Sequence, residues 1–365
     1  MYRPSPVRRN SRMQGPAPMV TVAGAGVAGL TCAVELAERG ARVEVLERAP
    51  TLGPACCSWF AGGMLAPWCE LESAERLIAE LGEESIGWWG ERFSGTALRG
   101  SLVVAHGRDT AELARFARRT ERFEWLNADA LAAIEPDLAG RFQRALFFPQ
   151  EAHLDPRAAL AELTRRLAKL GVPIRYGVEA PLPEALETRG EAWLSGREGP
   201  VIDCTGLAAR ATLTDLRGVK GEMLLLRSKD VVLSRPIRVL HPRMPLYVVP
   251  RGEGLYMVGA TMIESDQQTR ISARSMLELL TAAYALHPAF GEAEIVEIGT
   301  GVRPAFPDNL PRIRRAGRIV HVNGLFRHGF LLAPALARRL AEHVLNGSSY
   351  PEVMSDEDHR ERLLA

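Results

Sequence analysis

Two groups of residues in this chain have the types and spacing to do chemistry. The first is Gly24-Ala25-Gly26-Val27-Ala28-Gly29, placed after the apolar run Met19 to Ala23, with Glu47 lying 18 residues past Gly29. In such a pattern the first glycine makes a turn, the second lets the backbone approach a pyrophosphate, and the third lets a helix pack on a strand. The helix N-terminus then faces the phosphates, and a carboxylate at Glu47 can accept both hydroxyls of an unphosphorylated ribose. That chemistry suits FAD or NAD, and the motif does not choose between them. The second group centres on Arg303 in "GTGVRPAFPDNLPRI", residues 299 to 313, between a glycine-rich turn and a proline. A guanidinium stays charged at any ordinary pH, so apolar and stiffened surroundings demand an anionic partner. That partner is either a bound anion or an acid of the chain such as Asp308.

The elements around these residues follow from periodicity. Residues 19–49 predict strand, glycine turn, helix to about Arg39, a Gly40 cap and a second strand "RVEVLE", a βαβ unit. "SAERLIAELGEESIGWWGERF" and "DTAELARFARRTERF" have helical spacing, and "DALAAIEPDL" is a short helix stopped before Pro136. In "HLDPRAALAELTRRLAKLG", Asp155 is the N-cap, Pro156 takes the first helical position and Gly171 ends the helix. "VIDCTG" predicts a buried strand, "GEMLLLRS", "PLYVVPR" and "GLYMVGATM" predict antiparallel strands of a second sheet, and "ARSMLELLTAAYALHP" a helix before the strand "AEIVEIG". The segment "RIVHVNGLFRHGFLLAPALARRLAEHVLNG" then gives strand, glycine loop and amphipathic helix, Gly329 supplying the tight turn.

Composition narrows the function classes. Hydrophobic content of 47%, charged content of 24% and a net charge of +1 without a basic block describe a globular chain with no nucleic-acid footprint. Cys32, Cys56, Cys57, Cys69 and Cys204 form no C-x-x-C pair, so neither a disulfide framework nor a zinc site is indicated, and the scattered histidines give no metal. Adjacent Cys56 and Cys57 read as reduced, partly buried thiols. These features suggest a cytoplasmic enzyme with no membrane span. The basic, proline-rich residues 1–18 read as a disordered tail; their twin arginine mimics an export signal, yet cleavage there would destroy the nucleotide fingerprint.

Two further motifs favour a flavin over a nicotinamide. A strand ending in Thr205-Gly206 serves two-domain flavoproteins where the chain re-approaches the adenosine half. The loop "GLFRHGFLLAP" places a helix N-terminus where it would stabilise negative charge on a reduced flavin. Together with "AGAGVAGL", "SWFAGGMLAPWCE", "VKGEMLLL", "YVVPR", "VGATM" and "GVRP", these residues resemble the amine-oxidising flavoproteins of the D-amino-acid oxidase family, closest to its glycine-oxidising branch that serves thiamin biosynthesis, from Val20 to about Gly347.

The resemblance implies an α/β fold with an α+β substrate part. A discontinuous Rossmann-like FAD-binding domain would take residues 19–80, 150–215 and 300–347; an antiparallel-sheet substrate domain would take 81–149 and 216–299; a C-terminal tail would take 348–365. It also implies non-covalent FAD, held by Gly24, Gly26, Val27, Ala28, Gly29, Glu47, Arg48, Ala61, Gly62, Gly63, Met64, Thr205, Gly206, Arg303, Arg327, His328, Gly329, Phe330 and Leu331. Arg303 would bind the substrate carboxylate with a hydrogen bond from Tyr247, Arg327 would lie near the flavin, and Met262 would form part of an apolar wall. The partners are a small amino acid and O2, with no nucleic acid and no membrane, and homo-oligomers are compatible with it. A dehydrogenase passing electrons to a membrane carrier, and a nucleotide-binding module without turnover, stay open as alternatives.

Overall fold

The computed structural model describes residues 18–181, 193–241 and 246–356. Nearly all of the basic tail expected at residues 1–18 therefore lies outside the described residues.

The apolar strand Met19–Ala23 is the axis of a seven-stranded sheet in the order Met354–Asp356, Arg312–Ala316, Ile319–Asn323, Val201–Asp203, Met19–Ala23, Arg42–Glu47, Ile174–Tyr176. Neighbours run parallel except in the Arg312–Ala316/Ile319–Asn323 hairpin. Val20, Val22, Val45 and Ile202 lie on one face of the sheet and are fully buried in an apolar core, whereas on the other face the Thr21 hydroxyl donates to Glu44 at 3.0 Å. The covering helices are Val27–Glu38, Arg76–Arg92, Pro156–Lys169 and Gly329–Asn346, which share one core with Leu30, Leu36, Trp89, Leu160, Leu331 and Leu336. The Pro156–Lys169 helix starts as its sequence dictates: Asp155 Oδ1 accepts the Ala158 amide at 2.8 Å, satisfying an orphan donor of the first turn, and Pro156 sits at the first position.

A second sheet of nine strands runs Ile263–Glu264, Arg217–Arg227, Leu255–Gly259, Leu246–Gly252, Ile237–Leu240, Ser101–Ala105, Arg144–Phe148, Glu124–Asn127, with Glu294–Ala305 also paired to Arg217–Arg227. It is antiparallel apart from the Ile237–Leu240/Ser101–Ala105 pair. The helix Ala273–Leu286 covers one face, with Leu279, Ala283 and Leu286 buried against Leu224, Val248 and Val258. The opposite face looks toward the first sheet. Arg157 and Glu297 tie the two units in a bidentate pair at 2.7 and 2.9 Å.

Three of the expected boundaries move. The helix Arg76–Arg92 crosses residue 80 because Trp89 and Leu81 are buried in the first core. Residues 300–305 belong to the second sheet, since Glu294–Ala305 is one continuous strand paired with Arg217–Arg227 as far as Arg217↔Ala305. The segment read as a C-terminal tail contributes Met354–Asp356 as an edge strand of the first sheet.

Candidate active site

The glycine fingerprint forms the turn it requires. Gly24 has φ +97°, and a Cβ there would lie 2.6 Å from the Cys204 carbonyl oxygen; a Cβ on Gly29 would lie 1.8 Å from the Gly24 oxygen. No other residue fits either position. Glu47, at the end of its strand, accepts the Ala25 amide at 2.7 Å and the Ala49 amide at 2.9 Å, so its carboxylate is fixed at the rim of the glycine turn with lone pairs to spare. A cavity of about 420 Å³ runs from Glu47 and the exposed Arg48 past Gly24, Gly26, Val27 and Ala28 to Thr205, Gly206 and Gly329. The Thr205 turn is held by Asp203, whose Oδ1 accepts both the Thr205 amide (2.9 Å) and hydroxyl (2.7 Å), while Oδ2 lies 2.7 Å from His321 Nδ1. At Gly26 a Cβ would touch nothing closer than Ser58 Oγ at 3.4 Å and would stand in the cavity itself. Open backbone beside a helix N-terminus, with a carboxylate at the far rim, fits the pyrophosphate and ribose of FAD.

A second cavity of about 230 Å³ adjoins the first at Gly329 and is lined by Ala61, Gly62, Gly63, Met64, Tyr247, Met262, Arg303 and Arg327 among others. Its floor is one face of the nine-stranded sheet. The register sets Arg238 opposite Tyr247, Tyr247 opposite Gly259, Gly259 opposite Met223 and Met223 opposite Gly299. Side chains directly opposite across antiparallel strands share a face. Arg303, four residues beyond Gly299, points to that face as well.

Arg303 does not follow a glycine turn, as expected, but lies inside the strand. Gly299 and Gly301 are there for close packing: a Cβ on Gly299 would meet Met223 Sδ and Phe60 at 2.5 Å, and one on Gly301 would meet Cys57 Cβ at 3.3 Å. Nor does Asp308 neutralise it, because Asp308 pairs with Arg312 at 2.9 Å. The Arg303 guanidinium lies across Gly221 of the neighbouring strand, where a Cβ would be 2.0 Å from Nη2, and donates from Nη1 to the Thr261 carbonyl at 3.1 Å. It has no carboxylate partner among the described residues. Burial lowers its pKa, opposed by Tyr247 and Cys57, and it stays a cation.

Arg327 and His328 are engaged elsewhere. Glu70, at the end of the short helix Pro67–Glu70, receives Arg327 Nη2 at 2.5 Å and Arg238 Nη2 at 2.6 Å, and lies 2.8 Å from His328 Nε2. Burial opposes ionisation of Glu70, but Arg327, Arg238 and His328 hold its carboxyl well below the usual carboxylate range. Phe330 and Leu331 are buried in the helix core, Phe330 stacked on Trp89 at 5.7 Å and its carbonyl accepting the Trp89 indole N–H at 2.8 Å. Gly329 is the first residue of its helix, and the turn expected there is made by Gly324 (φ +76°) and Phe326 (φ +49°). Met262 lies past the end of the strand Leu255–Gly259 and lines the cavity at its mouth, half exposed, with Sδ 4.0 Å from Arg327 Nη1.

Sequence reasoning missed Arg251, Gly221, Arg238 and Glu70. Arg251 Nη1 donates to the Leu154 carbonyl (2.5 Å) and Nη2 to those of Ala61 (2.9 Å) and Gly62 (2.8 Å), which clamps the loop 61–63. Tyr247 packs against the same loop, a Cβ on Gly62 falling 2.9 Å from its ring. The signal for Arg251 was present in "YVVPR", an arginine ending an apolar strand. Arg238 and Glu70 had no local signal. Cys56 and Cys57 are free thiols, and burial pushes Cys56 up to about 12.

Comparison with known proteins agrees with this geometry. The chain is 56% identical to a Rhizobium etli protein that carries the name thiamine biosynthesis oxidoreductase ThiO, over 91% of this chain and 98% of that one. It is 28% identical to a glycine oxidase of Pseudomonas aeruginosa, covering 88% of this chain and 93% of the relative. In fold it is similar to the crystal structure of glycine oxidase from Geobacillus kaustophilus, with a TM-score of 0.76 and 23% identity over 92% of this chain and 98% of that one. The model of the family described as FAD dependent oxidoreductase, DAO, matches residues 19–343, which include the lining of both cavities, and the chain belongs to that family of FAD-dependent enzymes.

Proposed function

We propose that this enzyme oxidises small amino acids, glycine first, to the corresponding imine, and that the imine feeds thiazole formation in thiamin biosynthesis. The observation that carries the reading is Arg303 beside the cofactor cavity, a buried guanidinium with a backbone carbonyl but no carboxylate partner among the described residues. Of the three arginines lining the substrate cavity, Arg238 and Arg327 share Glu70, and Arg303 alone has no carboxylate among the described residues. One free guanidinium fits one carboxylate, and a planar fork orients it as well as attracting it. The named activities of the Rhizobium and Pseudomonas relatives support the same reading.

In this reading Arg303 holds the carboxylate, with Tyr247 adding a hydrogen bond from the strand Leu246–Gly252 of the same sheet. FAD, when bound, supplies the hydride acceptor at N5 and the route by which the electron pair reaches O2, released as hydrogen peroxide. The chain needs little acid–base apparatus, because a substrate bound as the neutral amine gives up its α-hydrogen with the electron pair, and positioning is most of the work. Gly62 lets the Tyr247 ring approach, and Arg251 keeps the loop carrying Gly62 in place. When the imine is hydrolysed, the balance is glycine, O2 and water to glyoxylate, ammonia and hydrogen peroxide.

The test is peroxide release by the purified yellow protein with glycine, sarcosine, D-alanine and D-phenylalanine. The smallest amines should give the highest kcat/KM. A best substrate larger than D-proline would reject the small-site reading, and dye reduction without oxygen uptake would make the enzyme a dehydrogenase.

A further inference from the structure

We propose that Glu70 is a specificity-determining residue: by holding Arg327 and Arg238 on one buried carboxylate, it leaves Arg303 as the single cation, among the described residues lining the cavity, free to take a substrate carboxylate and so confines the site to amines with one acid group. This rests on the reading of the cavity as an amino-acid site.

Charge and geometry carry it together. Without Glu70 the cavity would be lined by three guanidinium groups and one further acid, Glu72, which turns toward Arg119 at 3.4 Å. Arg303 lies on the sheet floor with Tyr247, and Arg238 is on the same floor directly opposite Tyr247. Arg327 comes from the loop before the Gly329–Asn346 helix and reaches the mouth beside Met262. A substrate with two carboxylates would find its second cation only at Arg327 or Arg238. Both are occupied at 2.5 and 2.6 Å, and Ser73 Oγ fixes Arg327 further at 2.8 Å. A second acid would have to displace Glu70 and leave it buried against its own charge, a penalty that rejects such ligands. His328 completes the cluster: its Nε2 lies 2.8 Å from Glu70 Oε2 and 3.2 Å from Arg327 Nε, and Nδ1 has no partner among the described residues, so the ring faces Glu70 and Arg327.

The experiment uses the FAD-loaded enzyme and two ligands that cannot be oxidised, acetate and malonate, each titrated at about pH 8 and read from the flavin spectrum, where both are fully ionised. The natural protein should bind malonate no more tightly than acetate. In Glu70→Gln the ratio of malonate to acetate Kd should fall by about tenfold or more, and iminodiacetate should gain in kcat/KM relative to glycine. Glu70→Asp, which keeps the carboxylate, should stay close to the natural ratio. An unchanged ratio in Glu70→Gln with an intact flavin spectrum would overturn the proposal. So would a natural protein that already binds malonate about tenfold more tightly than acetate, a result that does not depend on the variant folding. Failure to oxidise glycine would instead remove the oxidase reading, while the two binding ratios would still decide the role of Glu70.

Discussion

Replacing Gly221 by alanine should disable the carboxylate site without substituting any residue proposed to bind the ligand. A Cβ at this position would fall 2.0 Å from Arg303 Nη2, 2.3 Å from Cζ and 2.6 Å from Nη1. Ordinary van der Waals contact begins near 3.4 Å, so the guanidinium must move by more than 1 Å. The strand has no positive φ at Gly221, so alanine adopts the backbone without strain, and the side chain that must yield is the far end of a flexible arginine. Fold and flavin should therefore be retained while the carboxylate is lost. Displacing a group by about 1 Å costs on the order of 100-fold in rate terms, and losing a desolvated charge pair outright costs roughly 2–5 kcal/mol, or about 30-fold to a few thousand-fold. The expected result is a KM for glycine raised within that range, with Tm and bound FAD close to natural. The assay is peroxide release over a glycine series, with a spectral titration by acetate as an independent reading of the site. Arg303→Lys should act in the same direction, because a point charge replaces a planar fork, and the double variant should fall short of the summed losses since both changes remove one interaction. A Gly221→Ala enzyme with KM within about threefold of natural, well under the smallest loss expected, would refute the placement of Arg303 as the carboxylate ligand.

Three further outcomes are expected. FAD should be released by acid precipitation into a yellow supernatant, since no cysteine follows Cys204 in the C-terminal third to form a thioether; a yellow pellet would count against this. Arg251→Gln removes a cation serving three carbonyls, each such bond worth about 1.5–3 kcal/mol, so Tm should fall and the Kd for FAD rise, with apoprotein titration as the measure. Glu151 is fully buried and its pKa is raised by that burial from 4.5 to about 7, opposed by Ser101 and Cys69. The folded state thus holds a proton that the unfolded state releases, and stability should decline as pH rises from about 4.5 to about 7. Glu151→Gln, whose Oε1 can still accept the Cys69 amide while its Nε2 donates to Ser101 Oγ without a charge, should gain up to about 3 kcal/mol over the natural protein above pH 7 and nothing near pH 4.5, as urea midpoints at the two pH values would show.

The two sites differ in how much of them a sequence can reveal, and the reason is the range over which each is built. The cofactor cradle is local. Gly24, Gly29 and Glu47 fall within one βαβ unit, so turn, helix start and acid can be judged against one another in about thirty residues, and the structure brings them together at 2.7 Å from Glu47 to the Ala25 amide. The substrate floor is assembled from strands far apart in the chain. "LVVA", "IRVL" and the residues after "EIVEIG" are too short or too interrupted to stand out by period, and glycine is ambiguous between a turn and a position where another side chain lies. Gly299 and Gly301 were of the second kind, which is why Arg303 seemed to follow a strand that in fact continues through it.

Glu70 shows the limit more sharply. In "LAPWCELES" it looks like an acid near the end of a loop, and Arg238 in "PIRVLHP" looks like one arginine among many. Neither has a neighbour in sequence that could neutralise it inside a cavity. Their meeting depends on the register that sets Arg238 opposite Tyr247 and on the loop that carries Arg327 back to the same carboxylate. Whole-chain charge hides this, because a balance near zero says nothing about which arginine is paired and which is free. Burial supplies the missing distinction: a cation at the surface can be left to water, whereas one in a cavity must be paired by the fold or by a ligand. Arg238 and Arg327 are paired by the fold, and Arg303 has no carboxylate among the described residues, so in the proposed reading it is left for the ligand. In that reading the substrate charge is thus specified as much by the acid that removes two arginines from competition as by the arginine that remains.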